Sequence, residues 1–275
     1  MAAPAATPHT VYFPSADGRT ELVGYFFEPA RSGRHPAVVM LHGRAGPYSA
    51  NVSADCSFVA RGKSSRCDAD SLSKRHAMWG EYWAEHGYVA LLVDSFGPRG
   101  RAHGYGRHTH DDPNREEVNE RTVRPLDAEG ALAYLRQRTD VQPDRIMLQG
   151  WSNGASTALN VIYRQAQAGT SQPRFRAALA FYPGCGPRAL LSQRYRADAP
   201  LWVFLASDDD EVSPKVCADV LRRAEGAQRF IAVTAYEGAT HDFDDPGRAR
   251  QAVAANRGAK DDAIRRTAAL FDALP

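Results

Sequence analysis

Between a short apolar run at 146–148 and a helix-forming run that starts at Ala155 lies Gly150-Trp151-Ser152-Asn153-Gly154, a G-x-S-x-G sequence. No other stretch limits the fold as much. A strand that turns sharply into a helix can hold a serine hydroxyl up at the edge of a sheet. Such a turn strains the serine backbone and crowds the residues two places before and after it. Glycine, lacking Cβ, fits those two places. The helix N-terminus at Asn153 also offers N–H groups to a developing oxyanion. A Gly-flanked serine can equally sit in an ordinary strand–helix turn. The motif therefore carries chemistry only if an acid and a histidine follow in a matching context.

Strand-like and helix-like runs alternate along the chain. Residues 10–13 and 21–27 are rich in β-formers and are split by Ser15-Ala16-Asp17-Gly18, which predicts an antiparallel hairpin at the outer edge of a sheet. Apolar runs at 36–41, 88–94, 175–182, 200–205 and 230–236 predict further strands, and helices are expected over 74–86, 116–138, 155–168 and 248–274. A continuous apolar run such as 36–41 suits a strand covered on both faces. The alternation predicts an α/β fold, a mostly parallel central sheet with helices on both faces. Nothing in the sequence divides 1–275, so one domain is expected, with 1–9 a flexible N-terminus. Residues 48–73, polar and aperiodic, read as a long loop insertion.

Composition narrows the function. Hydrophobic residues make up 43% of the 275, ample for a real core. The formal net charge is only +2 and the arginines are interspersed with Asp and Glu, so nucleic acid is not an expected partner. No apolar run approaches a membrane span, so no membrane partner is expected either. The first eight residues, Met1-Ala2-Ala3-Pro4-Ala5-Ala6-Thr7-Pro8, resemble the small-residue tail left after signal-peptide cleavage, with Met1 added. The four cysteines, Cys56, Cys67, Cys185 and Cys217, show no C-x-x-C spacing, and zinc is not expected. Two disulfides in a secreted or periplasmic protein is the preferred reading, with four unrelated buried thiols as the alternative. A Cys56–Cys67 bridge would close a short loop within 48–73. His103, His108, His110, Asp111 and Asp112 cluster in 101–115, but nothing periodic fixes their directions. No metal or cofactor is assigned to them.

In open α/β sheets, ligands bind beyond the carboxyl ends of the strands. Ser152, the run Asp208-Asp209-Asp210 and His241 each follow a predicted strand, in the order nucleophile, acid, histidine. Of nine histidines, His241 alone follows the acidic run, so the order selects it. His241 would take the Ser152 proton, and one aspartate would fix its tautomer and stabilise the imidazolium. The residues alone leave the choice among the three aspartates open. His42-Gly43-Arg44-Ala45-Gly46 follows the 36–41 run and can aim the Arg44 N–H into the crevice, as a second oxyanion donor beside Asn153. His42 itself reads as a structural histidine. Arg44, Arg99 and Arg101 also emerge at this edge and, with Trp151, are the candidate substrate-binding residues. The arginine forks could grip a substrate carboxylate, or could tie loops together through Asp94, Asp111 or Asp112. Three elements agreeing in order and position point to a hydrolase.

Several of these stretches carry a family resemblance. Val38-Val39-Met40-Leu41-His42-Gly43, residues 82–100, Gly150-Trp151-Ser152-Asn153-Gly154, Ala180-Phe181-Tyr182-Pro183-Gly184-Cys185 and Glu237-Gly238-Ala239-Thr240-His241-Asp242-Phe243 together resemble the dienelactone hydrolase family of α/β-hydrolases. The resemblance runs over nearly the whole chain. Residues 206–213 are similar to the family's acid loop, G-x-x-D-x-x-V-P, with Ala206 and Ser213 departing from it; the match implies Asp209 as the acid. The resemblance also implies that Cys185 pairs with Cys217. Founding members carry a cysteine nucleophile where this chain has Ser152. That departure implies a general hydrolase of carboxylic esters or lactones, acting on small molecules through an acyl-enzyme. The alternatives are an acyltransferase on the same triad and a non-catalytic binding module that keeps the fold. A peptidase is disfavoured because no extra domain is present to position a polypeptide.

Overall fold

The computed structural model describes residues 8–53, 55–106 and 113–274. Most of the expected flexible N-terminus, and His108, His110, Asp111 and Asp112, lie outside the described residues. The strands are β1 (His9–Pro14), β2 (Glu21–Phe27), β3 (His35–Leu41), β4 (Val89–Asp94), β5 (Val141–Trp151), β6 (Ala178–Phe181), β7 (Leu201–Ala206) and β8 (Ile231–Tyr236). They form one eight-stranded sheet in the order β1-β2-β4-β3-β5-β6-β7-β8. β1 runs antiparallel to β2, and β2 antiparallel to β4; every later pairing is parallel.

The helices are α1 (Lys74–Glu85), α2 (Arg124–Arg136), α3 (Asn153–Ala168), α4 (Pro214–Arg222), α5 (Ala227–Phe230), α6 (Arg248–Gln251) and α7 (Ala254–Asp272). Because side chains alternate across a strand, each central strand feeds two cores. Val89, Leu91 and Val93 of β4 belong to the core that α2, α3 and α4 cover, while Ala90 and Leu92 belong to the core that holds Trp79 and Trp83 of α1 and Phe271 of α7. This two-sided burial explains why the central strands read as unbroken apolar runs. β8, at the open edge, is correspondingly more exposed along its length.

Two expected helices differ from the structure. The pattern predicts one helix over 116–138, but a 3-10 helix at Pro113–Val118 is followed by a turn, and α2 starts only at Arg124. Asn119 Oδ1 accepts the N–H groups of Arg121 and Thr122 at 2.8 and 2.7 Å, a local bond pattern that competes with helix. Pro125, lacking an N–H, sits in the first turn, where none is needed. The expected helix over 248–274 breaks at Ala252 and Val253 into α6 and α7. There Gln251 donates to the carbonyls of Phe243 and Asp245 at 2.9 and 2.7 Å, and Asn256 Oδ1 accepts the Thr240 N–H at 2.8 Å. The helix start is thereby stitched to the loop after β8.

The long loop over 48–73 is anchored at several points. Tyr48 bridges Leu72, and Cys56 and Cys67 lie at disulfide distance. The Val59 N–H donates to Gly97 O at 3.1 Å, and the Ala102 N–H donates to Ser57 O at 2.8 Å. The loop thus packs on the segment that leaves β4. Cys185, after β6, and Cys217, in α4, form the second pair at disulfide distance, with Cα atoms 4.8 Å apart. No helix among the described residues is long and apolar enough to cross a membrane.

Candidate active site

Ser152 stands at the junction of β5 and α3 with φ 51° and ψ −115°, a strained region for a non-glycine residue. Its N–H donates to Phe181 O in β6 at 2.9 Å, and its carbonyl accepts from the Ser156 N–H at 2.9 Å, so both neighbours hold the strained turn. The flanking glycines are required by contact. A Cβ at Gly150 would collide with the Gly154 carbonyl, and one at Gly154 with the Leu41 carbonyl at the end of β3. The elbow and the loop after β3 are therefore pressed together, which brings Gly43 and Arg44 beside the serine. Asn153 opens α3, where an N–H has no carbonyl one turn back within the helix.

The side chain of Asn153 is locked from behind. Its Oδ1 accepts from Arg124, and its Nδ2 donates to Glu120 at 2.8 Å. Arg124 also donates to His42 O at 2.8 Å, so one fully buried guanidinium ties the elbow to the base of the Arg44 loop. Burial lowers Arg124 to about 10, against the attraction of Asp127 and Glu120. His42 is itself buried. Its Nδ1 lies 2.7 Å from Gly43 O and its Nε2 accepts from the Ser95 N–H at 3.3 Å, which assigns the neutral Nδ1–H tautomer.

His241, on the loop after β8, has Nδ1 2.7 Å from Asp209 Oδ2. The other Asp209 oxygen accepts the N–H groups of Glu211 and Val212, both at 2.9 Å. Asp208 and Asp210 are exposed on either side. Glu211 Oε2 lies 3.7 Å from His241 Nε2. Burial disfavours the imidazolium, but the Asp209 hydrogen bond and the charges of Asp242, Asp209 and Glu211 outweigh it, and His241 is raised above its ordinary value.

Beneath His241 lies a network that sequence reasoning missed. Asp244, fully buried, accepts from Tyr182 and, at 2.8 Å each, from the indole N–H groups of Trp79 and Trp151. Arg75 is paired with Asp242 and donates to Tyr182 Oη at 2.9 Å. Burial works against the Asp242 carboxylate, but Arg75 and His241 hold it below its usual range. The Tyr182 ring packs 4.7 Å from the His241 ring. Only the acidic positions just after His241 hinted at this arrangement; Arg75 and Tyr182 come from elements remote in sequence.

Two cavities meet at the serine. One of about 450 Å³ is lined by Arg44, Ser152, Asn153 and Glu211 together with Val212 and Val216. The other, of about 170 Å³, is lined by Arg44, Ser152 and Glu211 together with His241, Asp242 and Arg75. Larger hollows at the far ends of α2 and α3 have no histidine among their lining residues to activate a hydroxyl. Of the expected substrate residues, only Arg44 lines these cavities. Arg99 is bound by Asp127, with two contacts of 2.8 Å, and by Asp17 at 3.1 Å. Arg101 pairs with Glu117 at 3.0 Å. The Trp151 side chain turns inward to Asp244, because the residue before the elbow serine ends a strand covered on both faces. Two groups among the described residues bring metal-ligand atoms within 4.8 Å of one another: Cys56, Cys67 and His103, and Glu211, His241 and Asp242. In the first the two sulfurs face each other at disulfide distance, and in the second Arg75 and Arg250 already pair with Asp242.

The sequence model of the dienelactone hydrolase family matches residues 72–274. No curated protein matches the chain. Solved structures similar to it include a dienelactone hydrolase-like promiscuous phosphotriesterase from metagenomic libraries, 20% identical with a TM-score of 0.68, covering 98% of this chain and 99% of that one. A putative dienelactone hydrolase from Klebsiella pneumoniae is 13% identical with a TM-score of 0.70, covering 97% and 99%. A thermophilic esterase from Thermogutta terrifontis is 19% identical with a TM-score of 0.61, covering 95% and 94%. At these identities the similarity establishes a shared fold.

Proposed function

Because the chain belongs to the dienelactone hydrolase family and is an ester-cleaving hydrolase, we propose that it cleaves small carboxylic esters or lactones through Ser152, His241 and Asp209. His241 Nε2 takes the proton of Ser152 Oγ as that oxygen attacks the ester carbonyl carbon. Asp209 holds the Nδ1–H and stabilises the imidazolium. The oxyanion is received by the backbone N–H groups of Asn153 and Arg44. Collapse breaks the bond to the leaving oxygen, and His241 returns the proton to it. Water, deprotonated by His241, then attacks the acyl-Ser152 carbonyl, releasing the acid and restoring the serine. With a lactone the leaving hydroxyl stays attached, and the product is a hydroxy acid.

The observation that carries this reading is the 2.7 Å contact between Asp209 and His241, with His241 and Ser152 lining one cavity. The continuous sheet supports reading the chain as one catalytic domain. The two cysteine pairs at disulfide distance support a secreted or periplasmic setting. The test is a fluorophosphonate probe followed by peptide mass spectrometry, with Ser152→Ala as the control. Labelling at Ser152 alone, and loss of esterase activity by several orders of magnitude in a folded alanine variant, are expected. An active Ser152→Ala enzyme, or labelling elsewhere, would overturn the reading.

A further inference from the structure

We infer that the preferred ester joins a medium-length apolar acyl group to a small, neutral alcohol bearing a second hydroxyl; this rests on the Ser152–His241–Asp209 reading. Arg44, Ser152 and Glu211 line both cavities, but Asn153 lines only the larger and His241 only the smaller. In the tetrahedral intermediate the oxyanion faces the Asn153 and Arg44 N–H groups, while the leaving oxygen must come within reach of His241 Nε2. The alcohol therefore occupies the 170 Å³ side and the acyl chain the 450 Å³ side.

The two linings ask for different chemistry. Val212, Val216, Pro187 and Ala189 line the acyl side, and Val216 is 41% exposed, so apolar surface awaits cover. The charged Arg115 and Glu120, which also line it, pair with each other at 2.5 Å, and Arg188 completes the wall. The pocket's volume falls within the usual range for small-molecule sites. Cys185 and Cys217 tie the loop after β6 to α4 and so hold two walls of this pocket at a set separation. The alcohol side is lined by Arg44, Arg75, His103, Glu211 and Asp242. At about 170 Å³ it is less than half the size of the acyl side, at about 450 Å³, which suits a small alcohol. Its two arginines face two carboxylates, and Arg75 is already paired with Asp242, so the lining has no charge excess to select an ion. It does have acceptors. Glu211 Oε2, 3.7 Å from His241 Nε2, stands where a hydroxyl one carbon beyond the leaving C–O bond can donate to it.

The test uses the full-length enzyme and two series of esters, each rate divided by that ester's own hydroxide-catalysed rate. In the first, hexanoate is held constant and the alcohol is 2-hydroxyethyl, 2,3-dihydroxypropyl, 2-methoxyethyl or propyl. In the second, the 2-hydroxyethyl ester is held constant and the acyl group runs from acetate to dodecanoate. We expect kcat/KM at least about tenfold higher for 2-hydroxyethyl than for propyl or 2-methoxyethyl. We also expect hexanoate to exceed acetate by at least about tenfold, since each buried methylene adds to transition-state binding. Glu211→Leu should collapse the hydroxyl preference toward unity, and Val216→Trp should lower the hexanoate-to-acetate ratio at least about tenfold. Equal rates for 2-hydroxyethyl and propyl esters, or an acetate preference in the wild type, would overturn the inference. If the wild type turns over the acetate esters and labels at Ser152, such a result removes this substrate class alone; if it does neither, the triad reading fails first.

Discussion

Replacing Asp209 by asparagine separates the geometry of the acid loop from its charge. Asp209 Oδ1 accepts two backbone N–H groups, from Glu211 and Val212, and an asparagine oxygen can keep both bonds. Only the atom that faces His241 Nδ1 at 2.7 Å changes, from an acceptor oxygen to an NH₂ donor. That donor forces Nδ1 to become the acceptor, and the ring proton moves to Nε2. The nitrogen that should take the Ser152 proton is then already protonated. By analogy with other serine triads, the wrong tautomer costs on the order of ten-thousand-fold in kcat, about 5 kcal/mol of transition-state stabilisation. The assay is steady-state hydrolysis of a small activated ester, with urea unfolding confirming that the loop survives. Asp208→Asn and Asp210→Asn alter exposed side chains and should stay within severalfold of wild type. An Asp209→Asn enzyme retaining more than about a tenth of its activity, or a larger loss at either neighbour, would refute the tautomer argument.

Because His241 is raised above its ordinary value and must be neutral to act as a base, kcat/KM should fall as pH drops through a midpoint above the usual 6.5. Glu211→Gln removes one of the charges that favour the imidazolium, so the midpoint should move down; a pH–rate profile that moves up or stays in place contradicts this. Asp244→Leu leaves Trp79, Trp151 and Tyr182 with unpaired donors and should destabilise the fold by about 3–5 kcal/mol in urea unfolding, whereas a loss below about 1 kcal/mol would show the network to be dispensable. Alkylation of denatured, unreduced protein made under oxidising conditions should find no free thiol by mass spectrometry. With sequence separations of 11 and 32 residues, chain entropy gives about 3 and about 4 kcal/mol of stability lost on reduction, respectively.

The fold class was legible in the sequence because covered strands demand unbroken apolar runs and a hairpin demands a turn between β-formers. The runs at 36–41 and 88–94, and the hairpin either side of Asp17-Gly18, correspond closely to β3, β4 and the β1–β2 pair. The elbow was legible for a similar reason: Gly150 and Gly154 must each lie against backbone carbonyls, a requirement local enough to leave a spacing in the sequence. Which aspartate of three meets His241 was not readable from the residues alone, and Asp209 was implied only by the resemblance to the family's acid loop. Consecutive residues on a loop point in different directions, and only the fold turns Asp208 and Asp210 outward. The arginines show the limit most clearly. Arg44, Arg99 and Arg101 looked alike beyond the strand ends, yet Arg99 meets Asp127 of α2 and Asp17 of the hairpin, partners that only three-dimensional packing brings near. Arg75, Asp244 and Tyr182 lie more than a hundred residues apart in places and converge beneath His241 because α1, β6 and the loop after β8 pack together. A guanidinium or a carboxylate reads the same in sequence whether it faces substrate, solvent or another charge, and the electrostatic partner that decides among these is supplied by tertiary contact.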